Sequence, residues 1–275
     1  MKQGVDFIKF NPTENMTVLV KSMHNKEDHA RIAEKLMSYD CVHAEQVGFI
    51  KLSEQEGMVS SLRMAGGEFC GNACMSLAAY IASVNGLPEG KGINVAMEAS
   101  GTGELVRCRV KREVDRYHCK LSMPLPSAIG KNQRDDFAHF SMAMIQYEEA
   151  VHIVIEVDEI NSGVRVQAEE MARIIGSGYE GKLVGVLVYI PHTEELAPLI
   201  YVPEIGSMIW ERGCGSGTAS LAAYLAWKKR EIISALVKQP GGVMKAACEW
   251  EKGSIRAIEI EGTVGIVAEG KAYIG

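Results

Sequence analysis

Short apolar runs alternate with Gly, Asn and charged breaks along most of the chain, and few stretches carry a helical period. Alternating or β-branched runs occur at Met16–Lys21, Gln46–Leu52, Ile93–Met97, Leu105–Val110 and His118–Met123. The second half supplies Val151–Val157, Leu183–Ile190, Pro198–Val202, Ala235–Lys238, Ile255–Glu261 and Thr263–Ala268. Short runs divided by turn residues predict antiparallel strands. Lys26–Ser38 is amphipathic, with Asn25 as its expected N-cap, and Glu169–Ile175 predicts a shorter helix. Two more helices are expected over Gly71–Val84 and Gly215–Lys229. Their first turns are Gly, Asn, Ser and Thr, and their bodies are Ala, Leu, Met, Tyr and Ile with almost no charge. A helix apolar all round is a buried one. The pattern predicts a sheet wrapped around a helix, once in each half.

The halves are related by repetition. Residues 70–80 read C-G-N-A-C-M-S-L-A-A-Y and residues 214–224 read C-G-S-G-T-A-S-L-A-A-Y, with seven of eleven positions identical. Adding the offset of 144 to the first amphipathic helix places it over the second. Such a repeat implies two structurally similar halves. Halves that face each other would set Cys70 and Cys214 across a shared cleft. The polar link near Pro124–Arg134, with its Pro and Gly, is the expected boundary.

Composition narrows the function classes. The 275 residues suffice for one large domain or two ordinary ones. A net charge of −6 gives no basic footprint for nucleic acid. No apolar run approaches the roughly 20 residues that span a bilayer, and the N-terminus lacks the apolar core of a signal peptide. The expectation is a cytoplasmic protein without nucleic-acid or membrane partners. Seven cysteines (41, 70, 74, 108, 119, 214 and 248) without a secretion signal predict reduced thiols. No C-x-x-C pair occurs, and C-G-N-A-C has no second pair to complete a zinc site, so no metal is expected.

The two repeated phrases carry the chemistry. Each opens with a cysteine at a helix N-terminus, where free N–H groups and the helix dipole favour anions. That setting predicts a thiolate below the usual pKa of about 8.5. The neighbouring N–H groups are suited to a substrate carboxylate. Two such thiols suit α-carbon inversion: one removes the weakly acidic proton, the other returns it on the opposite face, and fixed donors hold the charge that accumulates. The remaining five cysteines read as small buried apolar side chains. The seven histidines show no metal or triad spacing, and no lysine is marked for a Schiff base.

These motifs resemble a known family. E-F-C-G-N-A-C, W-E-R-G-C-G-S-G-T-A-S, Q-P-G-G and V-A-E-G-K-A-Y-I are similar to the motifs of cofactor-independent diaminopimelate epimerases and their relatives, almost from end to end. The resemblance implies an α+β, diaminopimelate epimerase-like fold: two pseudo-symmetric halves, each a β-barrel-like sheet around a central helix. The halves would be residues 1–123 and 124–263, with strand 264–275 joining the first. Within that superfamily F-N-P-T-E-N-M-T-V-L-V, E-Q-V-G-F-I and P-L-I-Y-V-P-E-I resemble the histidine racemases of staphylopine-type metallophore pathways. Two departures point away from diaminopimelate: Asn72 is followed by Ala73 and Cys74 where that family has G-x-R, and Cys214 follows Gly213 directly.

The resemblance implies roles for individual residues. Cys70 and Cys214 match the two bases. Gly71, Asn72, Gly215 and Ser216 match the helix starts that hold the carboxylate. Asn15, Gln46 and Glu211 match motifs that line the ammonium end. Glu45 stands where it would accept a hydrogen bond from an imidazole N–H, and Arg212 matches the residue that epimerases use for a distal carboxylate. The implied activity is a racemase that interconverts L- and D-histidine for metallophore biosynthesis, without pyridoxal phosphate or metal, with a small amino acid as its only substrate class and a homodimer as its assembly. Diaminopimelate epimerase is the rival within the class. A non-catalytic amino-acid-binding protein on the same scaffold is the rival outside it, and a dithiol redox protein is disfavoured by the missing adjacent thiol.

Overall fold

The protein is described by a computed structural model covering residues 2–53, 59–131 and 141–275. It divides into two compact units, one formed by Met1–Leu121 with Glu261–Gly275, the other by Ser122–Ile260. In the first unit the chain forms β1 (Gln3–Pro12), β2 (Thr17–Val20), α1 (His29–Met37), β3 (Gln46–Lys51), β4 (Ser60–Met64), α2 (Gly71–Val84), β5 (Gly92–Ala99), β6 (Val106–Arg112) and β7 (Tyr117–Ser122). In the second it forms β8 (Ala128–Lys131), β9 (Ser141–Gln146), β10 (Ala150–Glu156), α3 (Ser162–Ser177), β11 (Leu183–Ile190), β12 (Glu195–Val202), β13 (Ser207–Trp210), α4 (Gly215–Lys229), β14 (Ile233–Gln239) and β15 (Gly242–Glu251). The long β16 (Ser254–Ile274) leaves the second unit and ends in the first, antiparallel to β1, with Gln3 opposite Ile274.

The ladders repeat. In the first unit β1 is antiparallel to β2, β2 parallel to β3, β3 antiparallel to β4, β4 parallel to β5 and β5 antiparallel to β6. In the second the series β9, β10, β11, β12, β14 and β15 has the same senses in the same order. The expectation of purely antiparallel sheets is therefore corrected. A parallel neighbour needs a crossover connection, and among the described residues each parallel pair of the two series is bridged by an α-helix.

A sheet covered on both faces must be apolar on both. All eight residues of β11, L-V-G-V-L-V-Y-I, are buried. Val184, Val186 and Val188 pack with Ala168, Met171, Ala172 and Ile175 of α3. Leu187 and Tyr189, on the alternate face, pack with Leu221 and Tyr224 of α4. In the first unit Val18, Val20, Val47 and Phe49 pack with Ile32, Ala33 and Leu36 of α1. The opposite layer is α2, which lies against β1, β2, β3, β4, β5 and β6. Ten of its residues are buried, Gly71 to Ala79 and Ala82, as its all-round apolarity predicts.

Element ends depart from the sequence reading in physically legible ways. Residues 26–28 form a 3-10 turn, so Asn25 caps no α-helix, and α1 starts at His29. Helix α3 starts seven residues before the predicted Glu169, with Asn161 Oδ1 accepting from Val164 N at 3.0 Å; its first turns are Val-rich and half-exposed, which masks the helical period. The runs at 255–261 and 263–268 are one strand, β16. Part of the expected boundary, residues 132–134, lies outside the described residues. Among the described residues no helix is long and apolar enough to cross a membrane.

One buried polar cluster sits under α4. His152 Nδ1 and Tyr147 OH are linked to Ser220 Oγ at 2.5 and 2.7 Å. Burial pulls the His152 pKa down to about 4. The folded protein thus holds a neutral imidazole, which carries no proton-linked cost above the unfolded value of about 6.5, where both states are neutral. As pH falls from about 6.5 to about 4, the native state should lose about 3 kcal/mol through this group. Denaturant unfolding of His152→Gln should show a flatter decline over that window; an identical decline would show that His152 is not its source.

Candidate active site

Both repeated cysteines are N-caps. Cys70 (φ −134°, ψ 108°) accepts from Ala73 N at 3.4 Å through Sγ, and Cys214 (φ −116°, ψ 112°) accepts from Gly217 N at 3.2 Å. N-caps are normally Ser, Thr, Asp or Asn, whose oxygens accept better. Here a thiol takes this role twice, at equivalent helices. The residues that follow, Gly71 and Asn72 on α2 and Gly215 and Ser216 on α4, occupy first-turn positions at the positive end of their helices. Asn72 is buried, and Ser216 Oγ lies 3.5 Å from Cys214 Sγ.

In the first unit three predicted residues converge. Cys70 Sγ donates to Gln46 Oε1, and Gln46 Nε2 donates to Asn15 Oδ1 at 2.7 Å. Asn15 is fully buried, because the tight turn before it aims it inward. Thr13 and Glu14 both take positive φ, 54° and 58°, and Asn15 N donates to Pro12 O at 3.1 Å. Two left-handed residues in succession are the centre of a type I′ turn, here set in the longer connection between Phe10 and Thr17, and a β-branched Thr there is strained. Glu45 is half-buried next to Gln46, with its N–H on Met16 O at 2.8 Å. The loop before Cys70 is braced as well. Ser100 Oγ donates to Glu68 O at 2.8 Å, and Gly101, at φ +75°, has no room for a Cβ, which would sit 2.2 Å from Phe69 N.

In the second unit Glu211 is buried and interacts with Cys214. Arg212 is exposed, with Nη2 3.4 Å from Pro240 O. Cys214 departs from the expected lowered pKa. Burial pushes its thiol well up, and the charge and hydrogen bond of Glu211 add to the rise. Ser216 and the Gly217 N–H pull the other way without prevailing. Desolvation of a thiolate outweighs a helix terminus when a carboxylate lies beside it. The site also holds a residue that the sequence reading left out: Gln239 Oε1 accepts from Cys214 N at 2.7 Å. Its signal was the Q-P-G-G motif, noted without a role for its first residue.

The first unit thus offers a thiol facing a neutral amide, and the second a thiol facing a carboxylate, each on a helix N-terminus. Solved structures share this fold. A hydroxyproline epimerase from Agrobacterium vitis matches with a TM-score of 0.72 at 11% identity over 98% of this chain and 92% of that one. A methylitaconate-delta-isomerase matches with a TM-score of 0.59 at 9% identity over 99% and 96%. The fold is therefore the mixed α+β fold of epimerase-like and racemase-like proteins. The sequence is more specific. The family described as "Histidine racemase CntK N-terminal domain" matches residues 4–273. A histidine racemase of Staphylococcus aureus is 34% identical over 99% of both chains, and one of Fusobacterium nucleatum is 28% identical over 99% of this chain and 98% of its own. The chain belongs to the histidine racemase family.

The sulfur seat predicts a sensitive substitution. A Cβ at Gly217 would lie 2.9 Å from Leu187 Cδ2 and 3.1 Å from Cys214 Sγ. Gly217→Ala gains about 1 kcal/mol of helix propensity yet crowds the sulfur. Thermal unfolding should change little, while alkylation of Cys214 by iodoacetamide, followed by peptide mass spectrometry, should change in rate. An unaltered rate would mean that the sulfur is not confined there.

Proposed function

We propose that the protein interconverts L- and D-histidine by a two-base mechanism with Cys70 and Cys214 as the bases. The observation that carries this reading is the pair of sulfurs in the same N-cap position of two equivalent buried helices, in a chain of the histidine racemase family. Inversion requires them to address opposite faces of one α-carbon. The thiolate of one takes the α-proton and becomes a thiol. The electron pair spreads into the carboxylate, and the thiol of the other gives its proton to the far face and becomes a thiolate. The reverse reaction exchanges the roles.

The charges around the two sulfurs support an order. Cys214 is held protonated by burial and Glu211, so it is the proposed donor at rest, and Cys70, which gives its thiol proton to Gln46 Oε1 in this structure, must lose that proton before it acts as the base. Gly71, Asn72, Gly215 and Ser216 are the proposed carboxylate donors, stabilising the charge as it develops. Asn15, Gln46 and Glu211 are proposed for the ammonium end. Gln46 also positions Cys70, and Glu211 also tunes Cys214. Glu45 is the proposed partner of the imidazole and Arg212 lies at the substrate's far end. The repeated ladders and paired central helices support a diaminopimelate epimerase-like pair of pseudo-symmetric halves. The reading needs neither pyridoxal phosphate nor metal, and includes a homodimer acting in the cytoplasm within metallophore biosynthesis.

Two experiments test it. In deuterium oxide the wild type should invert histidine with deuterium at Cα, as read by NMR and chiral chromatography. Cys70→Ser and Cys214→Ser should each abolish inversion while the fold persists, because a hydroxyl is a far weaker acid than a thiol. Near wild-type inversion by both mutants would sink the two-base reading.

The second addresses specificity. Glu45→Gln should lower kcat/KM for histidine about ten- to a hundred-fold if a charge-assisted bond is lost in the transition state. Arg212→Ala should affect histidine little. Strong turnover of diaminopimelate that collapses in Arg212→Ala would instead favour the epimerase reading.

A further inference from the structure

The Q-P-G-G segment is the tip of the β14–β15 hairpin, where Gln239 pairs with Gly242. It grips the loop that leads into α4 at three points. Gly241 N donates to Arg212 O at 2.7 Å, Arg212 Nη2 donates to Pro240 O at 3.4 Å, and Cys214 N donates to Gln239 Oε1 at 2.7 Å. The other end of the Gln239 carboxamide is also used. Its Nε2 donates to Thr218 Oγ1 at 2.8 Å, and Thr218 Oγ1 donates to Cys214 O at 2.6 Å. One carboxamide and one hydroxyl therefore close a ring around Cys214, holding both its N–H and its C=O. Gln239 and Thr218 are buried, so water does not compete for these bonds.

We infer that Gln239 is a positioning residue for Cys214, an inference that rests on the two-base reading. The ring fixes the peptide that carries the sulfur, and hence the direction of Cα–Cβ. The sulfur itself is left to Gly217 N, Ser216 and Glu211. The two thiols are thus held differently. Gln46 holds Cys70 at its sulfur, and Gln239 holds Cys214 at its backbone. A glutamine is suited to this place because it accepts and donates at once without bringing a charge to a buried thiol.

A loose Cys214 has an asymmetric signature. For the enantiomer whose α-hydrogen faces Cys70, abstraction continues, the Cys70 thiol so formed exchanges its proton for a solvent deuteron, and that deuteron returns to the same face, so deuterium enters unreacted substrate without inversion. For the other enantiomer abstraction itself fails, and exchange and inversion fall together. A variant that is merely less stable loses all four rates in proportion.

The test compares wild type, Gln239→Met and Gln239→Glu with L- and D-histidine in deuterium oxide. Gln239→Met should lower kcat about 10- to 100-fold, as misplacing a reacting group does, with KM changed no more than about twofold. Exchange without inversion should persist for one enantiomer alone. Gln239→Glu keeps the acceptor for Cys214 N–H and should recover part of kcat. Unchanged kcat, or a proportional fall in all four rates, overturns the inference. If Gln239→Met does not fold, Thr218→Val opens the same ring and should show the same asymmetry; a symmetric loss overturns the inference. If the wild type exchanges the α-hydrogen of no amino acid, the racemase reading fails. Iodoacetamide then decides on Gln239. Gln239→Met should alter the alkylation rate of Cys214 and leave that of Cys70 unchanged, and an unaltered Cys214 rate overturns the inference.

Discussion

The structure depends on one contact made twice, a sulfur atom accepting a first-turn N–H at the start of a largely buried helix. A helix of that kind has no solvent to satisfy its first turn, so its N-terminus needs either a cap or a ligand. A cysteine as cap places a nucleophilic atom among the first-turn N–H groups. The apolar bodies of α2 and α4, the sheets around them and the glycines in their first turns all serve to bring that atom into a dry, donor-rich corner. The side chains that reach the two sulfurs include the Gln46 amide at Cys70 and the Glu211 carboxylate at Cys214.

Much of this was legible in the sequence. The repeat at 70–80 and 214–224 located both buried helices and both N-caps, because glycine-rich first turns and uncharged bodies have few alternative readings. The ladder senses were not legible. A strand buried on both faces, such as β11, loses the alternation that tells an antiparallel strand from a parallel one. Strands β1, β4, β8, β9, β13 and β15 went unrecognised for related reasons: short length, charged outer faces, or Met and Ala in place of β-branched residues.

The candidate site was legible by residue type but not by electrostatics. Sequence placed Cys214 at a helix N-terminus and inferred a low pKa from that alone. The depth of its burial and the approach of Glu211, three positions away, exist only in the fold, and they reverse the sign. Gln239 stayed hidden for another reason. Its partner is the backbone of a residue 25 positions earlier, and no side-chain pattern announces a bond to a peptide group.

The last strand sets the order in which the molecule is completed. Strand β1 finds one of its neighbours in β16, with Gln3 opposite Ile274. During synthesis residues 3–12 leave the ribosome long before residues 264–274 and must wait for them before that ladder can close. The stretch between them, Ser122–Ile260, holds its own cores within one continuous segment and is finished earlier. Closure of this ladder thus runs against the usual N-terminal-first sequence of domain folding, and one edge of β1 stays unpaired in the nascent chain until residues 264–274 emerge.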